Sequence, residues 1–283
     1  MAIRRWTGAT SGTVNLAGNF DDGNGGAGGI PVAGDDVYYT YGAVDCDAGL
    51  ATLAAVALGS LTISEDYTGT IGGSVAGYLQ FQAGDVFINS HSSSDHYLQP
   101  TVNASDLLMV LSAQGGIHLK GTIPRLHLLD GVVTLTTVAC GTELLIGPAP
   151  AVTIISDCTI NGCAISVTGG SISCAAAHGT MTMRGGTWTQ TDGNGGATIM
   201  WGGTYKPNSK QDTFTSIACH AGYVDCSECP DPRTITDLSL DGSGAVDLDN
   251  GAANIIVTNG IVFNGGSINF PKGVRIAMTD LEY

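Results

Sequence analysis

The chain has 283 residues, 42 of them glycine, with 43% apolar and only 12% charged residues. That length can bury a large core, and so few charges among so many apolar side chains exclude ordinary disorder. The formal net charge of −15 with no basic stripe argues against a nucleic-acid partner, and glycine without an every-third period excludes collagen.

The opening Met1-Ala2-Ile3-Arg4-Arg5-Trp6-Thr7-Gly8 turns polar at once and lacks an apolar h-region, so no secretory signal is expected. No run of 18 apolar residues predicts a membrane span, and synthesis in a host cytoplasm follows as the expected origin. Residues 1–40 differ in texture from the rest and predict a small N-terminal cap or attachment segment, with 41–283 as one further domain. Within the cap, Gly23 to Gly29 form a turning loop. Val37 and Tyr39, alternating with Tyr38 and Thr40, mark the first good strand. Asp35-Asp36 before that strand fits turn capping better than cation binding.

Rungs are expected from Leu58 onward: Leu58–Ile63 with Thr68–Gly73, Tyr78–Phe81 with Asp85–Ile88, Leu107–Leu111 with Gly116–Lys120, then Leu126–Leu129, Val132–Leu135 and Val152–Ile155. Further on, one phrase recurs: apolar residue, turn glycines, small hydroxyl residue, apolar residue. It stands at Val167–Ile172, Met183–Trp188, Met200–Tyr205, Ala218–Val224 and Val262–Ile268. From Gly170 to Gly186, Gly203 and Gly222 the steps are 16, 17 and 19 residues. A period near 20 with short strands and glycine turns predicts an all-β, right-handed parallel β-helix (a β-solenoid) with a small N-terminal cap. An antiparallel β-sandwich or hairpin stack is the alternative. Some 220 residues in such coils make roughly 11 coils and a rod of about 50 Å. Unequal loops, among them Ser90–His96 and Lys206–Asp212, are expected to project from its side, and the tail from Gly273 to Tyr283 to serve as a second cap or an arm.

Eight cysteines occur, and without an export signal disulfides are not the default. Cys163 shares a strand face with Ile165 and Val167, and Cys174 with Ile172, so both read as core residues. Cys219, His220, Cys226 and Cys229 are the best metal-ligand candidates by type. Only one Cys-x-x-Cys is present, so no metal and no cofactor is expected. His91, Asp95 and His96 share a serine-rich loop that reads as a solvated turn rather than a nucleophile–base site. Carboxylates at Asp45, Asp47, Asp192, Asp247 and Asp249 form no stack at the coil period, so a polysaccharide lyase or hydrolase is not the leading reading. Thr180, Thr182, Thr187, Thr189 and Thr191 fit ordinary cross-strand pairing better than an ice-binding array. Trp188, Trp201 and Tyr205, close together in successive rungs, are expected to stack in the core rather than to bind sugars.

Residues 3–39 carry a further pattern: Arg5-Trp6-Thr7-Gly8, Asn19-Phe20, Gly25–Gly29 and Pro31-Val32-Ala33-Gly34-Asp35-Asp36-Val37. This segment resembles the N termini of tailed-bacteriophage virion structural proteins, with Asn-Phe where Asn-Trp is usual. The resemblance covers under a sixth of the chain and implies a virion part without catalytic residues. A capsid decoration protein is the expected function, seated on the major capsid protein or other virion proteins, with a homotrimer plausible because β-helices pack along flat faces. Arg4, Arg5 and Trp6, basic and aromatic on an acidic chain, are the expected capsid-attachment residues. A tail fibre or appendage recognising host glycans and a polysaccharide-degrading enzyme are the alternatives.

Overall fold

The computed structural model describes residues 2–103, 106–208, 213–229, 233–249 and 255–270. The chain divides into two compact units, Met1–Gly141 and Thr142–Tyr283. The expected side loop over 209–212 and the tail from Gly273 lie outside the described residues.

The first unit holds β1 (Ile3–Trp6), β2 (Phe20–Asp21), β3 (Asp36–Tyr39), β4 (Leu53–Ile63), β5 (Leu79–Ser90), β6 (His96–Val102), β7 (Leu107–Ala113), β8 (Gly116–Thr122), β9 (Arg125–Leu128) and β10 (Val132–Ala139). β1 pairs antiparallel with β2. The coil-to-coil pairings β1–β3, β3–β4, β4–β5, β5–β7, β6–β8 and β8–β10 are all parallel. Stacked parallel coils, and not hairpins, therefore build the unit. The stack starts earlier than Leu58, because β3 already lies in register on β4, Val37 opposite Leu61 and Tyr39 opposite Ile63.

Period-2 alternation sends every second side chain inward, and parallel pairing places like residues over one another. One ladder runs Val37–Leu61–Val86–Leu108–Leu126 and the next Tyr39–Ile63–Ile88–Val110–Leu128, every member buried. Burying each such side chain stabilises by roughly 1.5–3 kcal/mol. An aromatic column adds to this: Trp6 to Tyr39 at 5.7 Å between ring centroids, Tyr39 to Tyr67 at 5.3 Å and Tyr67 to His96 at 6.0 Å. The polar ends are answered, since the Val44 carbonyl accepts from Trp6 Nε1 at 3.2 Å and from the Tyr67 hydroxyl at 2.9 Å.

The second unit holds β11 (Glu143–Ile146), β12 (Ala151–Ile154), β13 (Ala164–Val167), β14 (Ser171–Cys174), β15 (Met181–Gln190), β16 (Gly195–Lys206), β17 (Thr213–Asp225), β18 (Arg233–Asp247), β19 (Ile255–Val257) and β20 (Ile261–Asn269). Its successive coils also pair in parallel. β15 pairs with β13 through Met181–Met183 and with β14 through Thr187–Gln190, so the Gly185-Gly186 step turns the chain from one side of the coil to the next. The repeated phrase is this corner. A sixth copy, Leu240-Asp241-Gly242-Ser243-Gly244-Ala245-Val246, lies on Cys219–Val224 with a one-residue bulge, and that extra residue masks it in sequence.

Candidate functional site

The corner imposes a fixed order on side chains. The residue before the glycines points outward after a buried one: Arg184 after Met183, Trp201 after Met200, His220 after Cys219, Asp241 after Leu240. The residue two past the second glycine points inward: Ile172, Trp188, Tyr205, Val224 and Val246 are all buried. The glycines themselves are stacked backbone on backbone. A Cβ on Gly203 would stand 2.6 Å from the Gly186 carbonyl oxygen, and Gly186 and Gly203 both have positive φ.

Trp201 is therefore a correction to the expected core trio. Trp188 and Tyr205 are wholly buried, but Trp201 is 51% exposed. Its indole lies on the His220 imidazole, ring centroids 4.1 Å apart and planes 18° from parallel. His220 Nδ1 in turn lies 2.8 Å from both Asp241 carboxylate oxygens. Indole, imidazole and carboxylate thus form one outward ladder over three successive coils, with the exposed Arg184 beside it, opposite Gly202. Arg184 makes no ion pair among the described residues.

Across the glycines stand Thr187, Thr204 and Tyr223, in register with one another. The next outward ladder pairs Thr189 with Lys206 and stacks Asp225–Asp247–Asn269, the two parts joined by the Lys206–Asp225 ion pair. Asp225 and Asp247 do stack at the coil period, contrary to expectation; their 22-residue step departs from the 16 to 19 of the earlier copies. Each has partners: Lys206 Nζ is 3.4 Å from Asp225, Ser227 donates to Asp225, and Tyr223 and Asn269 donate to Asp247 at 3.2 and 2.9 Å. Burial alone would raise the Asp225 pKa, but its bonds with Ser227 and Lys206 outweigh that and hold it below the usual carboxylate value. Burial and the Asp247 charge push the Tyr223 phenol up to about 12.

Of the four metal-ligand candidates only Cys226 and Cys229 are brought together. Cys219 is buried and His220, its neighbour on the strand, points out. Cys226 and Cys229 are buried, and the Cys229 thiol donates to the Pro207 carbonyl at 3.0 Å. The Cys226 thiol is pushed up by its hydrogen bond with Cys229 and by burial, and the Cys219 thiol by burial. Among the described residues no three His, Cys, Asp or Glu side chains converge in a cation-binding arrangement. Cys163 and Cys174 are core residues, as expected.

The serine-rich loop of the first unit also separates. His96 is fully buried with its Nε2 3.0 Å from Ser90 Oγ, whereas His91 faces Glu65 at 3.6 Å and Asp95 faces His118 at 3.7 Å. His118 lies flat on Tyr97, centroids 4.2 Å apart, and Lys120 sits over the Tyr78 ring at 4.2 Å.

Of the expected attachment residues, Trp6 is 1% exposed and edge-on to Phe20 at 5.3 Å, so it is a core side chain and not a surface anchor. Arg4 Nε donates to Asp35 at 2.8 Å, and Arg5 is half-buried. Asp35 also accepts from the Val32 amide, which is the turn-capping role expected of it. Compared with protein-family models, curated proteins and solved structures, the chain matches none.

Proposed function

We propose that this chain is a non-enzymatic structural protein of a tailed-bacteriophage particle, and within it a decoration protein bound in many symmetric copies to the major capsid protein. What supports the reading is the position of the segment that carries the resemblance. Arg4 and Asp35 pair, Trp6 and Phe20 pack edge to face, and the Asn19 side chain bonds Thr10, Ser11 and Thr13. The motif thus builds the first coil and closes it with local hydrogen bonds. An end with open strand edges templates aggregation, a hazard that grows with copies displayed side by side. Many such copies stabilise a shell by mass action without any catalytic group. Lattice contacts through the flat coil faces also suit a trimer.

Electron microscopy of particles in which mass spectrometry finds this chain tests the proposal. Symmetric density on the capsid supports it. Density only at the tail, or absence from purified particles, overturns it. Attachment is tested at Arg5, because deleting residues 2–8 would also strip Trp6 from the core. Arg5→Glu is expected to lower particle occupancy while leaving the melting temperature unchanged.

A further inference from the structure

We infer that the open indole face of Trp201, with Arg184 beside it, is a binding site for uncharged glycan chains. The inference holds wherever on a particle, or off one, the protein works. Most aromatic rings of this chain are buried or have their faces covered. In the first unit Tyr97 is stacked on His118, Tyr78 meets Tyr97 edge-on at 5.5 Å, and Lys120 covers Tyr78. Tyr41, Phe263 and Phe270 are also about half exposed but rest on no ring among the described residues, whereas Trp201 combines exposure with a supporting ring. One face rests on His220, and among the described residues no ring or cation covers the other. The residue is half exposed, yet its plane is not free to swing, because His220 beneath it is held by Asp241 at 2.8 Å.

A rigid, open aromatic face presents negative quadrupole to solvent, and the C–H groups on one side of a pyranose ring carry the complementary positive partial charge. Pre-ordering the ring before binding removes an entropic cost that a mobile tryptophan would bear. A sugar on that face needs hydrogen-bond donors at its rim. Arg184 supplies up to five and is exposed without an ion pair among the described residues. The flanking glycines add no side chain that would block approach along the coil stack. Charge decides the class of glycan. The chain carries −15 formally, and Asp241 stands on the same ladder and Asp225 on the next, so a polyanionic saccharide is disfavoured relative to a neutral one.

The test is the full chain applied to an array bearing neutral hexose oligomers, uronic-acid oligomers and sialylated glycans. A neutral oligomer that binds is then titrated in solution by tryptophan fluorescence. Trp6 and Trp188 are buried, so acrylamide quenching reports Trp201. Saturable binding of a neutral oligomer, with Trp201 shielded from acrylamide, is the expected result. Trp201→Ala should weaken it by about tenfold or more, Arg184→Gln by a few-fold, and Trp201→Phe should retain part of it. No saturable binding, binding of acidic glycans alone, or binding unchanged in Trp201→Ala with the wild-type melting temperature overturns the inference. Should Trp201→Ala not fold, acrylamide shielding in the wild type decides the matter.

Discussion

Gly203 lies directly over Gly186, so close that any Cβ on it would stand 2.6 Å from the lower residue's carbonyl oxygen. The backbone there has φ +82°, which L side chains rarely adopt. Gly203→Ala therefore combines left-handed strain with a clash against backbone that cannot move without shifting the coil below. A loss of about 3 kcal/mol is expected in urea unfolding. Gly162→Ala is the control, since nothing lies within 4 Å of its Cβ position and its φ is not positive. It should stay within about 0.5 kcal/mol of wild type. Equal effects at the two sites would refute the backbone-stacking account.

Inside the same unit, Gln190 ties together two buried polar groups and a third that is half-buried. Its Oε1 accepts from Trp188 Nε1 at 2.9 Å, and its amide nitrogen donates to the Ala176 carbonyl at 2.7 Å and to the Asp192 carbonyl. Gln190→Leu keeps much of the volume but strands all three partners. Each unsatisfied buried group costs about 1–3 kcal/mol, so a loss of at least about 2 kcal/mol is expected. Trp188→Phe in that background should recover part of it by removing one stranded donor.

Much of this was legible from the glycine corner alone. Ladder order follows from position in the phrase: Trp188 and Tyr205 come two past the second glycine and face inward, whereas Trp201 precedes the glycines and faces out. Reading the three by proximity rather than by position is what placed Trp201 in the core. The Asp225–Asp247 stack and the sixth corner at Leu240–Val246 were hidden for a different reason. The step widens from 16 to 22 residues as loops between strands lengthen, and a loop can grow without disturbing the register it connects. The Tyr39–Tyr67–His96 column steps by 28 and 29 residues, far from the near-20 period of the corner phrase, so it could not be read from that period.

At the start of the first unit, Asp35 is 5% exposed at its side chain and accepts from Arg4 Nε at 2.8 Å and from the amides of Ala2 and Val32 at 3.2 Å each. Burial alone would raise its pKa, but the Arg4 bond and the two amides outweigh it, and the pKa falls below the ordinary carboxylate value. A depressed folded pKa gives stability that is present above the unfolded value near 3.8 and is lost as pH falls through the folded one. Asp35→Ala should cost about 1–3 kcal/mol at neutral pH, with the difference from wild type shrinking in acid. A difference that persists undiminished at pH 2 would show that packing, not charge, holds this turn.

The buried histidine of the first unit also costs stability in acid, but over a higher pH window, because burial makes it refuse a proton. His96 has its Nε2 on Ser90 Oγ at 3.0 Å, its Nδ1 buried without a partner, and Tyr67 6.0 Å away across the core. Burial disfavours the imidazolium and drops its pKa from 6.5 to about 4, against a small opposing pull from Asp95. Above pH 6.5 the ring is neutral in both folded and unfolded chains and contributes no pH dependence. Between 6.5 and about 4 the unfolded chain takes up a proton that the folded chain refuses, so stability falls with pH and levels off below about 4. The shift corresponds to roughly 3 kcal/mol. His178 adds a loss of the same sign in the second unit, since burial lowers its pKa too. His96→Phe keeps an aromatic ring in the column and removes the titration. Its stability should therefore vary less than wild type between pH 7 and pH 4, even if it is lower at pH 7 through loss of the Ser90 bond. Urea unfolding at half-unit pH steps measures this, and parallel curves for the two proteins would show that His96 is not the group responsible.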